Sequence, residues 1–311
     1  MTTVTILGPQ RLLPTIGQEL ARESLAKRQV AVVTAGWQER EDEDRELREV
    51  VRLPVVNLRL YERWEKLLAA DPEYFALHRE RQDRLRVLQR LYRLRLSPLM
   101  ASARMMLERS EHAEVLAPIQ EEAIAAVRTL DDHHFARVQE VLDRFITDVR
   151  PGDRPAIAEQ RAELRQIVQG CGAVVVAGGN VAVLANRLEL FAFDALLPGR
   201  RVFAWSAGAM ALTARIVLFH DSPPQGAGDA EILSPGSGLL PGIVVLPHAR
   251  HRLQLSDLHR VELMARRFSP ARCVPLDEGD ALTWSEATGL VQSAGGRWMG
   301  TDGAIVAGDA A

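Results

Sequence analysis

The sequence contains little cysteine, and the two cysteines follow no recognisable pattern. Cys171 and Cys273 are the only ones in 311 residues. They have neither the spacing of a metal site nor the density of a disulfide framework. Since each lies beside a predicted strand, both are expected to be buried thiols.

Long apolar runs and a strong net charge are also absent. No stretch approaches the roughly 20 apolar residues that span a bilayer, and the first residues (MTTVTILGPQRLL) lack the basic and apolar regions of a signal peptide. The net charge of −3 gives no overall reason to expect nucleic acid or an anionic membrane as a partner. We therefore expect a cytoplasmic protein, and nothing in the sequence calls for a metal or an organic cofactor.

Strands alternate with helices in two parts of the chain. Apolar runs at residues 4–8, 29–36 and 53–60 are separated by helical patterns. This alternation predicts an α/β fold with a doubly wound, mostly parallel sheet. Further strands are predicted at residues 173–179, 201–206, 216–221 and 242–248, and strands and turns from residue 273 on. The stretch after residue 221, rich in Gly, Pro and Ser up to Gly238, is predicted to be flexible.

Residues 61–150 show helical periodicity throughout and no strand pattern. They predict three to five helices in a bundle inserted after the third strand, with Pro72, Pro98 and Pro118 near helix starts or breaks. The chain would then consist of an α/β hydrolase-like core, residues 1–60 and 151–311, and an inserted helical subdomain, residues 61–150. An insertion of this kind more often caps a site or forms a subunit contact than performs chemistry.

Two features of the helical segment invite functional interpretations. Residues 78–96 carry seven arginines and two acids, a pattern that could bind an anionic polymer. We favour a solvated or interfacial helix face over an anion-binding patch, because nearly all basic residues of this chain are arginines and a cluster of them is therefore not distinctive. His133 and His134 are predicted to be surface residues at a helix start, not metal ligands.

Residues 201–210 (RVFAWSAGAM) have the pattern of a nucleophile elbow. An apolar strand runs into Ser206, and small residues at Ala204 and Gly208 leave room for a tight strand-to-helix turn. The turn would expose the hydroxyl and direct the first helical N–H groups at the same space. The alternative is an ordinary buried strand followed by an alanine-rich helix start.

A serine nucleophile needs a base, and a carboxylate to orient that base. Ser206, His248 and the pair Asp277-Glu278 each follow a predicted strand, where ligands collect in a doubly wound sheet. His248 is favoured as the base because it directly follows an apolar strand, and backbone N–H groups of Gly179 and Ala207 could form the oxyanion hole. Spacing alone leaves the following open: His220, His251 and His259 as other bases, and Glu278, Asp277 or Asp221 as the carboxylate.

Four motifs together resemble the peptidase E and cyanophycinase family of serine peptidases. They are GGN at 178–180, WSAGA at 205–209, LPH at 246–248 and LDEG at 276–279, in the order seen in that family. The resemblance covers about residues 1–60 and 155–290 and leaves out the helical segment. It implies a fold like that of class I glutamine amidotransferases.

The resemblance also implies roles for individual residues. Ser206 matches the nucleophile, His248 the general base and Glu278 the acid, while Asp221 falls where the family has another functionally important aspartate. Gly179 and Ala207 match the oxyanion-hole donors. The family cleaves beside aspartyl residues, and a basic residue downstream of the histidine usually binds the acidic side chain of the substrate. The candidate substrate-binding residues are Asn180, Arg252 and Arg260, although neither arginine is in register.

Some residues depart from the family pattern. Ala204 replaces a glycine that is usual before the tryptophan, and Ala249 stands where an aromatic residue often follows the histidine. Two functions are therefore expected as alternatives. The first is a serine hydrolase that cleaves a peptide or amide bond in a small substrate. The second is a catalytically weak or inactive binding or regulatory protein whose helical insertion mediates partner binding or homo-oligomerisation.

Overall fold

A sheet of seven strands lies at the centre of the computed structural model, which describes residues 1–219, 228–294 and 296–307. Five strands are parallel, and two antiparallel strands extend one edge. In spatial order the strands are β11 (Gly289–Ala294), β10 (Ala281–Ser285), β1 (Thr3–Leu7), β5 (Arg201–Trp205), β4 (Ala173–Val176), β2 (Val30–Val33) and β3 (Val55–Asn57).

Three further pairs of strands lie outside this sheet. The first pair is antiparallel, the second parallel and the third antiparallel. The prediction that residues 242–248 belong to the doubly wound sheet is therefore wrong: they form a strand, but it pairs elsewhere. The pairs are β6 (Arg215–Leu218) with β7 (Glu231–Pro235), β8 (Ile243–Pro247) with β9 (Arg272–Leu276), and β12 (Arg297–Met299) with β13 (Ile305–Ala307).

Strand β7 corrects a second prediction, because it lies within the stretch expected to be flexible. Ile232 is fully buried, and its partner strand β6 contributes the buried Ile216 and Val217. The Gly, Pro and Ser residues around β7 obscure this short apolar pattern in the sequence.

Helices cover both faces of the central sheet. Val4, Val174 and Val202 face one apolar core, and their neighbours Val175 and Phe203 face the other. The alternation follows from the two-residue period of a strand. The helices are α1 (Ile16–Arg22), α2 (Arg45–Val51), α3 (Leu60–Ala70), α4 (Pro72–Leu107), α5 (Ala113–Val149), α6 (Pro155–Gly170), α7 (Val181–Leu190), α8 (Ala207–Ala211), α9 (Ala249–Arg252) and α10 (Leu258–Phe268).

Four helices lie between β3 and β4, and the first three of them, α3, α4 and α5, make up the segment predicted to be helical throughout. Pro72 begins α4 as predicted, and the Asp71 side chain accepts a hydrogen bond from the backbone N–H of Tyr74. The prediction for Pro98 is wrong, because this residue lies inside α4. Its ring occupies the exposed side of the helix, while Leu96 and Met100 are buried and hold the helix in place.

The helical segment shares the apolar core of the sheet. Tyr74 and Phe145 belong to the same buried cluster as Val174 of the sheet. The Trp64 ring lies 4.5 Å from the His78 ring and 4.2 Å from the Arg187 guanidinium carbon. Burial lowers the pKa of His78 to about 3, so this histidine is neutral.

A buried ionic network joins α4 and α5 to α10. Arg267 is 3% exposed and donates two hydrogen bonds to the carboxylate of Asp131, at 2.7 and 2.8 Å. It also donates to the Tyr92 hydroxyl at 2.9 Å and to the carbonyl of Ala230 at 2.7 Å. The ring of His134 stacks on Tyr92 with a centroid separation of 4.0 Å. His134 is therefore buried in the middle of α5, contrary to the prediction of a surface residue at a helix start.

The network predicts a large effect of one carboxylate and a small effect of its neighbour. Asp131→Ala leaves the Arg267 guanidinium buried without its counterion, which costs about 3–5 kcal/mol. Asp132→Ala removes only an exposed ion pair with Arg215, worth about 1 kcal/mol or less. Chemical denaturation measures both free energies of unfolding, and equal losses for the two variants would contradict this account.

None of the helices in the described ranges is both long enough and apolar enough to cross a lipid bilayer.

Candidate active site

Ser206 occupies the sharp turn between β5 and α8. Its backbone dihedral angles are φ 49° and ψ −123°, a combination that residues other than glycine rarely adopt. Such strain persists only where the surroundings enforce it, and it occurs at functional turns. The side chain of Ser206 is partly exposed between the buried Trp205 and Ala207.

Two glycines make room for this turn. A Cβ atom at Gly208 would overlap the backbone carbonyl oxygen of Val176, and a Cβ atom at Gly178 would lie 2.9 Å from the Cβ of Ser206. Any side chain at Gly208 would therefore push α8 away from β4. The small residue expected two positions after the serine is required by this contact.

His248 approaches Ser206 from the end of β8. Its Nε2 lies 3.0 Å from the Oγ of Ser206, within hydrogen-bonding distance. His248 has φ 58° and ψ 37°, a left-handed conformation that turns the chain sharply after Pro247. His251 and His259 are exposed on α9 and α10. His220 lies outside the described residues.

The surroundings of His248 favour its neutral form. Burial, and next the positive charge of Arg252, lower the pKa of His248 from its ordinary value of 6.5. The charges of Glu278 and Asp277 act in the opposite direction, and the effect of Glu278 is the larger. A neutral imidazole at neutral pH is able to accept the proton of a serine hydroxyl.

The two candidate carboxylates after β9 have different environments. Asp277 is 1% exposed; its Oδ1 accepts a hydrogen bond from the backbone N–H of Arg250 at 2.9 Å, and its Oδ2 accepts one from Arg297 at 2.6 Å. Asp277 thus holds the turn that carries His248. Glu278 is partly exposed and acts on His248 through its charge.

The structure does not bring all the expected acids to the histidine. Within the described ranges, no carboxylate oxygen forms a hydrogen bond with His248. Asp221, a further candidate, lies outside the described residues.

The two expected oxyanion-hole donors lie on either side of the serine turn. Gly179 follows β4 with φ 115° and is exposed, and its left-handed conformation and close contact with Gly36 exclude other residues. Ala207 is the first residue of α8, so its N–H has no acceptor within that helix. Both backbone groups lie at the ends of neighbouring parallel strands, β4 and β5.

The three candidate substrate-binding residues differ in position. The side-chain oxygen of Asn180 caps α7 by accepting hydrogen bonds from the backbone N–H groups of Ala182 and Val183, each at 3.1 Å. This oxygen therefore stabilises the start of the helix. Arg252 is exposed and acts electrostatically on His248. Arg260 lies on α10 and lines a small cavity whose walls include neither Ser206 nor His248.

Two residues around the site were not anticipated from the sequence. Arg297 bridges Asp277 and Asp280, with Nη2 at 2.6 and 3.0 Å from their carboxylates. Gly36, after β2, allows the close approach of Gly179. The AG pair at the end of the second apolar run was a signal for Gly36, whereas no local pattern marks Arg297.

A large cavity lies away from the serine and the histidine. It has a volume of about 1050 Å³ between α4, α5 and α7, and neither Ser206 nor His248 is among its lining residues. Among the described residues, no group of three or more His, Cys, Asp or Glu side chains is placed to hold a metal ion.

Comparisons with known proteins give only distant similarities. The sequence matches no protein-family model and no curated protein. A peptidase from an acI-B1 Actinobacterium is similar in structure, with 12% identity, a TM-score of 0.43, and coverage of 98% of this chain and 87% of that one. A peptidase E-type protein from Listeria monocytogenes EGD-e shows 10% identity, a TM-score of 0.46, and coverage of 94% and 98%.

Two substitutions near His248 should shift its pKa in opposite directions. Arg252→Gln removes a positive charge and raises the pKa of His248, whereas Glu278→Gln removes a negative charge and lowers it. NMR titration of the histidine ring at low salt measures both shifts, and a distant exposed substitution, Arg45→Gln, serves as the control. A shift in the same direction for both variants would refute the assignment.

Proposed function

We propose that this protein is a serine hydrolase that cleaves a peptide or amide bond through an acyl-enzyme on Ser206. The observation that supports the proposal is the 3.0 Å contact between Ser206 Oγ and His248 Nε2, made by a partly exposed serine in a strained turn. A nucleophile and a base within hydrogen-bond reach are the minimum that this chemistry needs.

In the proposed reaction, His248 Nε2 takes the hydroxyl proton as Ser206 Oγ attacks the carbonyl carbon of the substrate. The tetrahedral intermediate collapses when the imidazolium gives that proton to the leaving nitrogen, which departs as an amine. A water molecule then attacks the acyl group, again with His248 as base, and releases the acid and free Ser206. The lowered pKa of His248 keeps the base ready at neutral pH.

The other residues have separate roles in this proposal. The N–H groups of Gly179 and Ala207 stabilise the oxyanion, each contributing roughly 3–4 kcal/mol to lowering the barrier. Glu278 stabilises the imidazolium by its charge. Asp277 fixes the turn after His248 through its bond to the Arg250 backbone and is itself held by Arg297.

The proposal extends to the substrate and to the fold. Arg252 forms no ion pair within the described part of the chain and acts on His248, so its guanidinium is available for an acidic side chain next to the scissile bond. We also propose a core like that of the class I glutamine amidotransferases, into which residues 61–150 are inserted as a helical subdomain.

An inactive binding or regulatory protein is the second candidate. The observation that favours it is the missing hydrogen bond between His248 and a carboxylate among the described residues. The helical segment would then recruit a partner while the serine turn persisted without activity.

Substitution of the nucleophile separates the two candidates. Ser206→Ala removes the attacking atom but no buried contact, so it should fold normally while losing hydrolysis and labelling by a fluorophosphonate probe. Wild type and variant are compared by probe labelling and by hydrolysis of Asp-containing and isoaspartyl dipeptides. Ser256→Ala, an exposed serine elsewhere, is the matched control. Equal labelling of Ser206→Ala and wild type would contradict the proposal.

Substitution of Glu278 should affect catalysis, and substitution of Asp277 should affect stability. Glu278→Gln should lower kcat at unchanged stability, because it removes charge stabilisation from the imidazolium. Asp277→Asn breaks a buried bond to Arg297 and should lower the free energy of unfolding by about 1–3 kcal/mol, with activity lost in consequence. Kinetics and denaturation together test the division, and the reverse pattern would exchange the two roles.

A further inference from the structure

The cavity between the helices α4, α5 and α7 is large enough to hold an organic molecule. Its volume is about 1050 Å³, and on α4 its lining extends from Arg81 to Arg93. That stretch of helix is about 18 Å long, at 1.5 Å per residue. Since close-packed protein interiors leave few voids larger than a water molecule, a space of this size is not a packing defect. We call it the hairpin cavity.

The walls of the hairpin cavity are mostly apolar. Leu85 of α4, Leu142 of α5 and Leu233 of β7 line it and are partly exposed. Val138 and Leu188, which are 2 and 7% exposed, extend the apolar surface. Ligand pockets typically have such walls and volumes of about 300–1,000 Å³. The cavity therefore suits a ligand with a sizeable apolar body.

Polar side chains on the α7 side of the cavity bond to one another. Arg81 donates hydrogen bonds to Glu189 at 2.7 Å and to Asn186 at 3.0 Å, and Gln82 donates to Asn186 at 2.8 Å. The Asn186 amide in turn donates to the backbone carbonyl of Ala182 at 2.8 Å. These bonds join α4 to α7 and fix the shape of the cavity, so the binding of a charged group falls to other residues.

Three arginines of α4 line the opposite end of the cavity. Arg86, Arg90 and Arg93 follow one another at spacings of four and three residues, which places them on the same side of the helix. Arg86 pairs with Asp83 at 2.9 Å, and Arg93 pairs with Glu231 at 2.6 Å. Arg90 is exposed and forms no ion pair within the described ranges. Its positive charge is therefore not neutralised by the protein.

The described carboxylates that line the cavity lie toward its Arg81 end. Glu189 is bonded to Arg81, and Asp143 is two residues from Phe145, on whose ring the Arg81 guanidinium stacks at 4.4 Å. Arg90 is nine residues further along α4, a distance of about 14 Å. Arg150 and Arg161 also line the cavity, so both signs of charge are present there. The four lining carboxylates are Asp143, Asp153, Glu189 and Asp194.

The remaining two carboxylates belong to the same end. Asp194 and Glu189 both act through their charges on Arg161. Asp153 follows the end of α5, where Phe145 lies 5.9 Å from Tyr74 at the start of α4. The hairpin cavity is thus of mixed charge at one end, apolar along its length and basic at the Arg90 end.

We propose that the hairpin cavity binds an amphipathic organic anion. The apolar body of the ligand lies between Leu85 and Leu142, and its anionic group accepts charge-assisted hydrogen bonds from Arg90. Arg86 adds positive charge one turn away. The proposal goes beyond the hydrolase assignment and does not rest on it, because neither Ser206 nor His248 lines this cavity.

Two fluorescent probes test the proposal with the full-length protein. Anilinonaphthalene sulfonate has an apolar ring system and one negative charge, and phenylnaphthylamine has the same rings without the sulfonate. The sulfonate should bind about 10-fold more tightly than the neutral probe, because it alone bonds to a guanidinium. Fluorescence titration measures both dissociation constants.

Substitution of the unpaired arginine tests the anion-binding end. Arg90→Gln should weaken binding of the sulfonate by about 3- to 10-fold and leave binding of the neutral probe unchanged. Arg95→Gln is the matched control, since Arg95 is an exposed arginine of the same helix that does not line the cavity. Equal effects of the two substitutions would contradict the role of Arg90.

Filling the cavity tests where the probes bind. Ala185→Trp places an indole ring in the apolar part of the cavity and should weaken binding of both probes. Leu142→Glu is a second variant at a partly exposed wall position, and Ala136→Trp, at an exposed position of α5 outside the lining, is the control. Circular dichroism checks that each variant is folded.

Competition identifies the kind of apolar body. Myristate carries its charge on a flexible acyl chain, and naphthoate carries it on a compact ring system. Displacement of the sulfonate probe by either anion supports the proposal and says which body fits better. Tetradecyltrimethylammonium, with the chain of myristate and the opposite charge, should not displace the probe.

Three outcomes would overturn the proposal. Equal affinity for the charged and the neutral probe would show that the cavity does not select an anion. Unchanged binding in folded Ala185→Trp and Leu142→Glu would place the probes elsewhere on the protein. Displacement by tetradecyltrimethylammonium as strong as that by myristate would show that only apolar contacts hold the ligand.

Discussion

The geometry of the candidate site depends on one hydrogen bond between residues of different sheets. Ser206 ends a strand of the central sheet, and His248 ends a strand of a separate parallel pair. Both residues have positive φ, at 49° and 58°. The chain turns sharply at both residues. A shift of about 1 Å between the two sheets would break the contact between Oγ and Nε2.

Several contacts fix the position of the central sheet relative to the β8–β9 pair and support the turn at His248. The short helix α8 packs against β8, and Gly208 allows α8 to lie directly on β4. Within the parallel pair itself, the carboxylate of Asp277 joins the end of β9 to the turn after His248. These contacts are spread along the chain, from residue 176 to residue 297, although the site itself is small.

Local sequence patterns predicted much of this arrangement. The buried strands were recognisable as apolar runs, and the serine turn by the small residues that surround Ser206. The pairing of β8 was not predictable, because a strand of five apolar residues carries no information about its neighbour. The role of Asp277 also required the structure: in the sequence it stands next to Glu278 with the same charge, and only burial and the bond to Arg297 distinguish them. The strand β7 was hidden by the turn-forming residues around it.

The ionic network around Arg267 links the sequence of α10 to that of the long helix α5. The buried guanidinium donates two hydrogen bonds to Asp131 of α5 and one to the hydroxyl of Tyr92 of α4. Replacement of either member of the ion pair alone leaves the other charge buried without its counterion. Residues 131 and 267 should therefore change together among related chains, so that the identity of one records the identity of the other.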